Sequence, residues 1–340
     1  MAEVLHIATA VDEAYLVPLR VTIATLKERL RPSLRPVLYL LNRNLTDSQL
    51  DSIRCLVETH SIVPDSVTLE SLPRHSSFPR EAAFPLLLPD LLPKSIDRIL
   101  FLDPDLLVLD DVGKIWETDL AGNLAAAVAD QAIPLASSPR GLNGRRAGIP
   151  DDAPYFNAGV LLIDINAWRA DDIAKEARDY LTEHNGSSDF FHQEALNAVL
   201  WDKWLKLEPR WNLIASLTAR PYSANDSRAI EHPGIVHFAG KFKPWRIRVS
   251  SPFASAYYDA LARLGERTPS CNITEMLLGI YDRYLRDFLY PTEQLLWSFH
   301  RGLRRLQRIF YAIFPQSQHR EGQKREEQTI RHVPCRSCSE

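Results

Sequence analysis

Across the first hundred residues the hydrophobic period switches repeatedly between strand and helix values, and this alternation restricts the chain more than any other feature. Val4–Ala10 is a short continuous apolar run, the pattern of a strand covered on both faces. Leu16, Leu19, Ile23, Leu26 and Leu30 follow at helical spacing and predict a helix over Tyr15–Arg29. Pro36–Leu41 returns to a strand-type run. Thr46 with Gln49 forms a capping box, opening a helix that the pattern carries to about Thr59. Val67–Leu72 reads as a weaker strand. This β-α-β-α-β order implies an α/β fold with a mostly parallel central sheet flanked by helices. Arg98–Leu102, Leu124–Ala129 and Gly159–Ile165 add strand-length apolar runs, and Ile173–Glu183 and Gln193–Trp201 have helical spacing.

Composition narrows the function classes. The 340 residues carry 40 Lys+Arg against 43 Asp+Glu, a formal charge of −3. That balance argues against nucleic acid as a partner, which demands a clear cationic excess. A length of this order suggests about two domains or one large α/β domain. No run of about 18 apolar residues is present, so no spanning helix is expected. The start, Met-Ala-Glu, leads straight into a strand-like segment without the basic and apolar regions of a secretory signal. Cys55, Cys271, Cys335 and Cys338 are too scattered for a disulfide scaffold, so a reducing cytoplasm is the default compartment. Gly141–Pro150 and Asn185–Ser188 read as polar loops.

Four segments hold residues able to do chemistry. In Ile99-Leu100-Phe101-Leu102-Asp103-Pro104-Asp105 a buried strand delivers two carboxylates to its C-terminal end, the edge where open α/β sheets bind ligands. Hard oxygen ligands so spaced suit Mg²⁺ or Mn²⁺, and such a cation suits a diphosphate. The bland alternative is an ordinary Asp-Pro turn. In Ile235-Val236-His237-Phe238-Ala239-Gly240-Lys241-Phe242-Lys243-Pro244-Trp245 a strand delivers a ligand-capable His. Gly240 then allows close backbone approach, and Lys243 offers a point charge for phosphate. A buried structural His with surface lysines is the alternative. Tyr155-Phe156-Asn157-Ala158-Gly159 could offer an amide to a sugar hydroxyl or could simply be a turn into a strand. Phe191-His192-Gln193-Glu194-Ala195-Leu196-Asn197 clusters polar groups where a helix begins, where Glu194 is also favoured by the helix dipole.

Taken in order, these segments resemble glycosyltransferase family 8, and in particular its bacterial members that extend lipopolysaccharide or lipooligosaccharide with galactose or glucose. The resemblance runs from about Val4 to Trp245 and is carried by Ala10-Val11-Asp12, Leu102-Asp103-Pro104-Asp105, Tyr155-Phe156-Asn157-Ala158-Gly159-Val160, His192-Gln193-Glu194-Ala195-Leu196-Asn197 and His237…Gly240…Lys243-Pro244-Trp245. It implies a GT-A fold, a UDP-hexose donor, Mn²⁺ (with Mg²⁺ as the alternative) and retention at the anomeric carbon. By position it implies Asp103, Asp105 and His237 as metal ligands, Asp12 near the uridine, and Gly240 and Lys243 at the diphosphate. It also implies Asp130, Asn157, Ala158 and Gln193 around the donor sugar, with Gln193 and Asp130 closest to catalysis.

The chemistry is consistent with those roles, since departing UDP develops charge that a dication and Lys243 would stabilise. Gln193 is a poor nucleophile, which favours same-face attack by the acceptor over a covalent intermediate. Three positions depart from the family pattern: Ala14, Pro85 and His192 stand where relatives often have Asn, Arg and Asp. They leave the donor hexose open and keep a non-catalytic UDP-sugar-binding relative as an alternative. A metal-dependent phosphohydrolase is a further alternative, although Leu106-Leu107 after the acids does not suit it.

The acceptor, a saccharide or glycolipid, has no readable code in the loops 131–153 and 213–232. Beyond a catalytic domain over 1–250, residues 251–315 form a helical region and 316–340 a polar tail expected to be disordered. Leu296, Phe299, Leu303, Leu306, Phe310 and Ile313 are spaced as one helix face, with Arg301, Arg304, Arg305 and Arg308 between them. Such a basic amphipathic helix over 293–314 suits an anionic membrane surface, here the inner face of the cytoplasmic membrane. Packing on its own domain is the alternative. Cys335-Arg336-Ser337-Cys338 is half a zinc site at most.

Overall fold

A computed structural model describes residues 2–72, 80–138, 140–142, 148–184, 190–215, 229–240, 243–249 and 251–269, all within one unit of packing, Met1–Cys271. The basic helix expected over 293–314, the polar tail, the loop Asn185–Ser188 and residues 143–147 lie outside them. Among the described residues no helix is long and apolar enough to cross a membrane.

The sheet is built from the apolar runs. Strand β1 (Glu3–Ala10) pairs in parallel with β2 (Leu34–Leu41) along its whole length. β2 pairs in parallel with β3 (Glu58–Ile62), and β1 with β4 (Arg98–Leu102). β7 (Phe156–Asp164) lies antiparallel to both β4 and β6 (Ala125–Ala129), and β8 (Trp204–Lys206) is parallel to β6. The order is β3-β2-β1-β4-β7-β6-β8, so β7 alone of these seven runs opposite. Its reversal matters for the site. The start of β7 meets the ends of β4 and β6, with Leu102 opposite Val160 and Ala129 opposite Phe156. The pairing continues past the strands, where Asp103 N–H donates to Gly159 O at 2.8 Å and Asp130 N–H to Tyr155 O at 2.8 Å.

Alternate residues of each central strand enter opposite cores. Leu5, Ile7, Leu100 and Leu102 pack with Leu19, Ile23 and Leu26 of helix α1 (Leu16–Arg29) and with α2 (Asp47–Arg54). Ala8, Ile99 and Phe101 face the other core, with Phe84, Leu88, Trp168, Tyr180 and Leu196. Each such fully buried Leu, Ile or Phe stabilises the fold by about 1.5–3 kcal/mol. A smaller sheet joins β5 (Leu106–Val108), β10 (Ile235–His237) and β9 (Leu213–Ile214). Helix Ala254–Arg263 places Tyr257 and Leu261 in a third cluster with Val21, Leu107, Val236 and Phe238.

Two expectations are corrected. The capping box at Thr46 and Gln49 is present, but α2 ends at Arg54 and Glu58–Ile62 becomes β3. Its sequence, ETHSI, carries no apolar run because an edge strand faces solvent. The strand expected over Val67–Leu72 is instead a short helix, α3 (Ser66–Glu70). The Asp65 carboxylate accepts the Thr68 N–H at 2.7 Å, which caps a turn and competes with extension. The helix read over Ile173–Glu183 has those bounds, and that read over Gln193–Trp201 spans His192–Leu200.

Candidate active site

The two acids after β4 sit in a turn fixed from three directions. Thr22 of α1 is buried, with Oγ1 2.9 Å from both Pro104 O and Leu106 O, and accepts the Leu106 N–H at 3.1 Å. Asp105 O accepts the Phe238 N–H at 3.0 Å, joining the turn to the end of β10. His237, the last residue of β10, stands opposite Leu106. One ligand atom from each of Asp103, Asp105 and His237 therefore lies within 4.8 Å of the others. His237 Nε2 is 3.5 Å from Asp103 Oδ2 and 3.3 Å from Asp105 Oδ1. Asp105 and His237 are buried, whereas the Asp103 side chain is 26% exposed and forms the open side.

Space and orientation both suit a divalent cation. A Cβ on Gly159 would lie 2.4 Å from His237 Cε1 and 2.8 Å from Asp103 Oδ2, so only glycine leaves the cluster its room. His237 Nδ1 is held by Asn212 Oδ1 at 3.0 Å, which leaves Nε2 toward the carboxylates. Two carboxylates and an imidazole form a donor set that could hold a divalent metal ion.

Charge in the cluster is tightly coupled. Burial pushes the Asp103 carboxyl up to about 6, the neighbouring Asp105 charge adds to this, and His237 and Lys243 partly offset it. Burial would also raise Asp105, but Lys243 and His237 overcome it and hold that carboxyl below the usual range. Burial opposes the charged imidazole of His237, yet the two acids raise its pKa above the ordinary value. Lys243 is buried and donates to Asp105 Oδ2 and, at 2.9 Å, to Phe238 O. Its ammonium lies 5.6 Å from the Tyr15 ring centre and 5.4 Å from that of Trp245, within cation–π range.

A hydrogen-bonded amide cluster adjoins the acids on the same sheet edge. Asp130, one residue past β6, accepts at Oδ1 from Ala132 N–H (2.8 Å) and Ile133 N–H (2.9 Å). Its Oδ2 accepts from Asn157 Nδ2 (2.9 Å) and Gln193 Nε2 (3.1 Å). Four protein donors thus engage a carboxylate that offers about four lone-pair sites. Gln193, in the first turn of α8 (His192–Leu200), also accepts the Ala158 N–H at Oε1 (3.1 Å). Asn157 Oδ1 accepts from Gly159 N–H (3.0 Å) and Asn212 Nδ2 (2.8 Å). Asn197, one turn along α8, binds both the N–H and the C=O of Phe156, at 2.7 and 2.9 Å, locking α8 to the start of β7.

The remaining expected positions make none of the hydrogen bonds of these two clusters given above. Asp12 follows the end of β1, and its Oδ1 is buried without a hydrogen-bond partner. Gly240 adopts φ +93° with nothing within 4 Å of a built Cβ, so backbone conformation rather than close approach within the chain selects glycine. Ala14 is exposed, and Pro85 is buried in a 3₁₀ turn, Arg80–Leu87. His192 opens α8 after Phe191, whose φ is +41°, and burial pulls its pKa down to about 4. Its Nδ1 has no hydrogen-bond partner. Sequence reasoning missed Asn212, which lies at the end of a 3₁₀ turn, Pro209–Asn212, beside residues assigned to an acceptor loop. The available signal was a polar residue set between Trp211 and the apolar pair Leu213-Ile214.

Comparison with known proteins identifies the family and the fold. The model for "Glycosyl transferase family 8" matches residues 6–248. General stress protein A of Bacillus subtilis (strain 168) is 28% identical over 274 residues, covering 75% of this chain and 92% of that protein. Lipopolysaccharide 1,2-glucosyltransferase of Escherichia coli (strain K12) is 24% identical over 298 residues, covering 83% and 85%. Among solved structures, galactosyltransferase LgtC in complex with donor and acceptor sugar analogues superposes with a TM-score of 0.64 at 21% identity, covering 76% of this chain and 95% of that one.

Proposed function

The chain belongs to glycosyltransferase family 8 and has the GT-A fold, and from that premise we propose that it moves a hexose, galactose or glucose, from a UDP-sugar to a saccharide or lipid-linked saccharide with retention of configuration. The observation that carries this reading is the convergence on one sheet edge of the Asp103–Asp105–His237 cluster and the Asp130–Asn157–Gln193 amide cluster. The three ligand-type residues would hold Mn²⁺ or Mg²⁺, which when bound neutralises charge on a diphosphate. Lys243, already seated on Asp105, adds a fixed positive charge beside the same position. Asp12, with a buried unpartnered oxygen at the end of β1, can accept a hydrogen bond from a nucleoside. Asn157, Ala158, Gln193 and Gly240 complete the proposed donor pocket.

The hydrogen bonding also bears on mechanism. A retaining reaction through a covalent intermediate needs a free nucleophile on the reacting face. Asp130 has its lone pairs engaged by four protein donors, and both ends of the Gln193 amide are bonded within the protein. These residues are therefore suited to shape a pocket, and same-face attack by the acceptor hydroxyl is the reading they support.

A UDP-release screen across UDP-glucose, UDP-galactose and their N-acetylated forms, with Mn²⁺ or chelator, tests the donor and metal assignments. Turnover of a UDP-hexose only with metal supports the proposal; no turnover of any of these donors contradicts it. We assign an additional membrane-surface role to residues 293–314, on the charge and spacing of that segment. Deleting residues 291–340 is expected to lower binding to anionic liposomes while sparing turnover of soluble donors. Unchanged liposome binding contradicts that role.

A further inference from the structure

We propose that Asn212 is a positioning residue, which turns His237 Nε2 toward the two carboxylates and ties that ring to the amide cluster around Asp130. The inference rests on reading Asp103, Asp105 and His237 as a divalent-cation site. Asn212 is 1% exposed, and both ends of its amide are committed. Its Nδ2 donates to Asn157 Oδ1 at 2.8 Å. That oxygen also accepts the Gly159 N–H, so it is an acceptor and the orientation of the Asn212 amide is set. Asn212 Oδ1 therefore faces His237 Nδ1 at 3.0 Å, and Nδ1 must donate. In a neutral imidazole this leaves the lone pair on Nε2, the atom 3.3 Å from Asp105 Oδ1 and 3.5 Å from Asp103 Oδ2. Beyond Asn157 the chain of bonds continues through Asp130 Oδ2 to Gln193 Nε2. One line of hydrogen bonds thus joins the acidic cluster to the residues proposed around the donor sugar, and Asn212 is its central link.

The test compares Asn212→Leu and Asn212→Asp in the full chain, with Mn²⁺ alone as the probe and free Mn²⁺ followed by electron paramagnetic resonance. Asn212→Leu removes the acceptor for Nδ1–H, and the Mn²⁺ dissociation constant is expected to rise about 10–100-fold. Asn212→Asp keeps an acceptor facing His237 and should stay within about threefold of the unsubstituted chain. A purely structural role gives the opposite ranking, because a buried Leu is tolerated better than a buried carboxylate facing Asn157 Oδ1. Unchanged Mn²⁺ binding in Asn212→Leu, or binding weakened as much in Asn212→Asp as in Asn212→Leu, overturns the proposal. Absence of saturable Mn²⁺ binding by the unsubstituted chain overturns the cation reading itself, and the positioning role with it.

Discussion

Gly159→Ala is the sharpest perturbation of the proposed cation site. The added Cβ would sit 2.4 Å from His237 Cε1 and 2.8 Å from Asp103 Oδ2. Carbon atoms in comfortable contact are about 3.5–4.0 Å apart, so the ring must retreat by about 1 Å. It has little freedom to do so. The His237 backbone is paired with Leu106 and Ile214 on either side, and Nδ1 is held by Asn212. Gly159 does not occupy the left-handed backbone region, so alanine is conformationally allowed and the effect is steric alone. Overpacking of this kind costs about 1–3 kcal/mol, or a fall of roughly 3–10 °C in Tm for a domain of this size. The loss at the site should be larger than the loss of stability. The Mn²⁺ dissociation constant, read by isothermal titration, is expected to rise at least about tenfold. UDP-hexose hydrolysis should lose about 10²-fold in kcat/KM, the usual penalty for a 1 Å misplacement. Gly240→Ala is the matched comparison: it meets no atom within 4 Å but forces alanine to φ +93°. It should lower Tm through about 1–3 kcal/mol of backbone strain while leaving Mn²⁺ affinity within about threefold. Unchanged Mn²⁺ affinity and turnover in Gly159→Ala would show that the cation does not sit between His237 and Asp103.

Three further outcomes follow from the same geometry. Asn197→Ala strands the N–H and C=O of Phe156, both bonded by that side chain, and should destabilise the fold by about 2–4 kcal/mol in a denaturant titration. Mn²⁺ affinity should fall as pH drops through the raised pKa of His237 and further through about 6, because the imidazole and Asp103, itself raised to about 6, must both release protons to bind a cation; titrations across this range at constant ionic strength check this. His192, lowered to about 4, takes up a proton more readily when unfolded. Its share of stability is therefore complete above its ordinary pKa and is lost as pH falls through about 4. His192→Gln should flatten the acid limb of a stability–pH curve; an unaltered limb would count against a buried neutral imidazole.

How much was legible depended on whether a residue's role is written in its neighbours along the chain. The runs at Val4–Ala10, Pro36–Leu41 and Arg98–Leu102 became central strands, because strands covered on both faces must be continuously apolar. β3 was invisible for the converse reason, since Glu58–Ile62 lies at an edge and carries Glu, Thr, His and Ser. The direction of β7 could not be read either. Its apolar run fits a parallel or an antiparallel neighbour equally, yet the reversal brings Gly159 beside Asp103 and Asn157 beside Asp130. In the same way, Asp103, Asp105 and His237 were visible as residues delivered by strand ends, while Asn212 was not. Its importance comes from contacts with Asn157 and His237, 55 and 25 residues away, and no local pattern encodes them.

Metal-dependent sugar transfer at the Asp103–Asp105–His237 cluster is tested by UDP release from UDP-glucose and UDP-galactose by the unsubstituted chain and by Asp103→Asn, each with Mn²⁺ and with excess chelator. Release is expected from the unsubstituted chain with Mn²⁺ only, reduced at least about 10²-fold by the substitution, which removes a charged ligand from the cluster. Equal release in the presence of chelator, or full activity in Asp103→Asn, would contradict a metal-dependent transferase acting through this cluster.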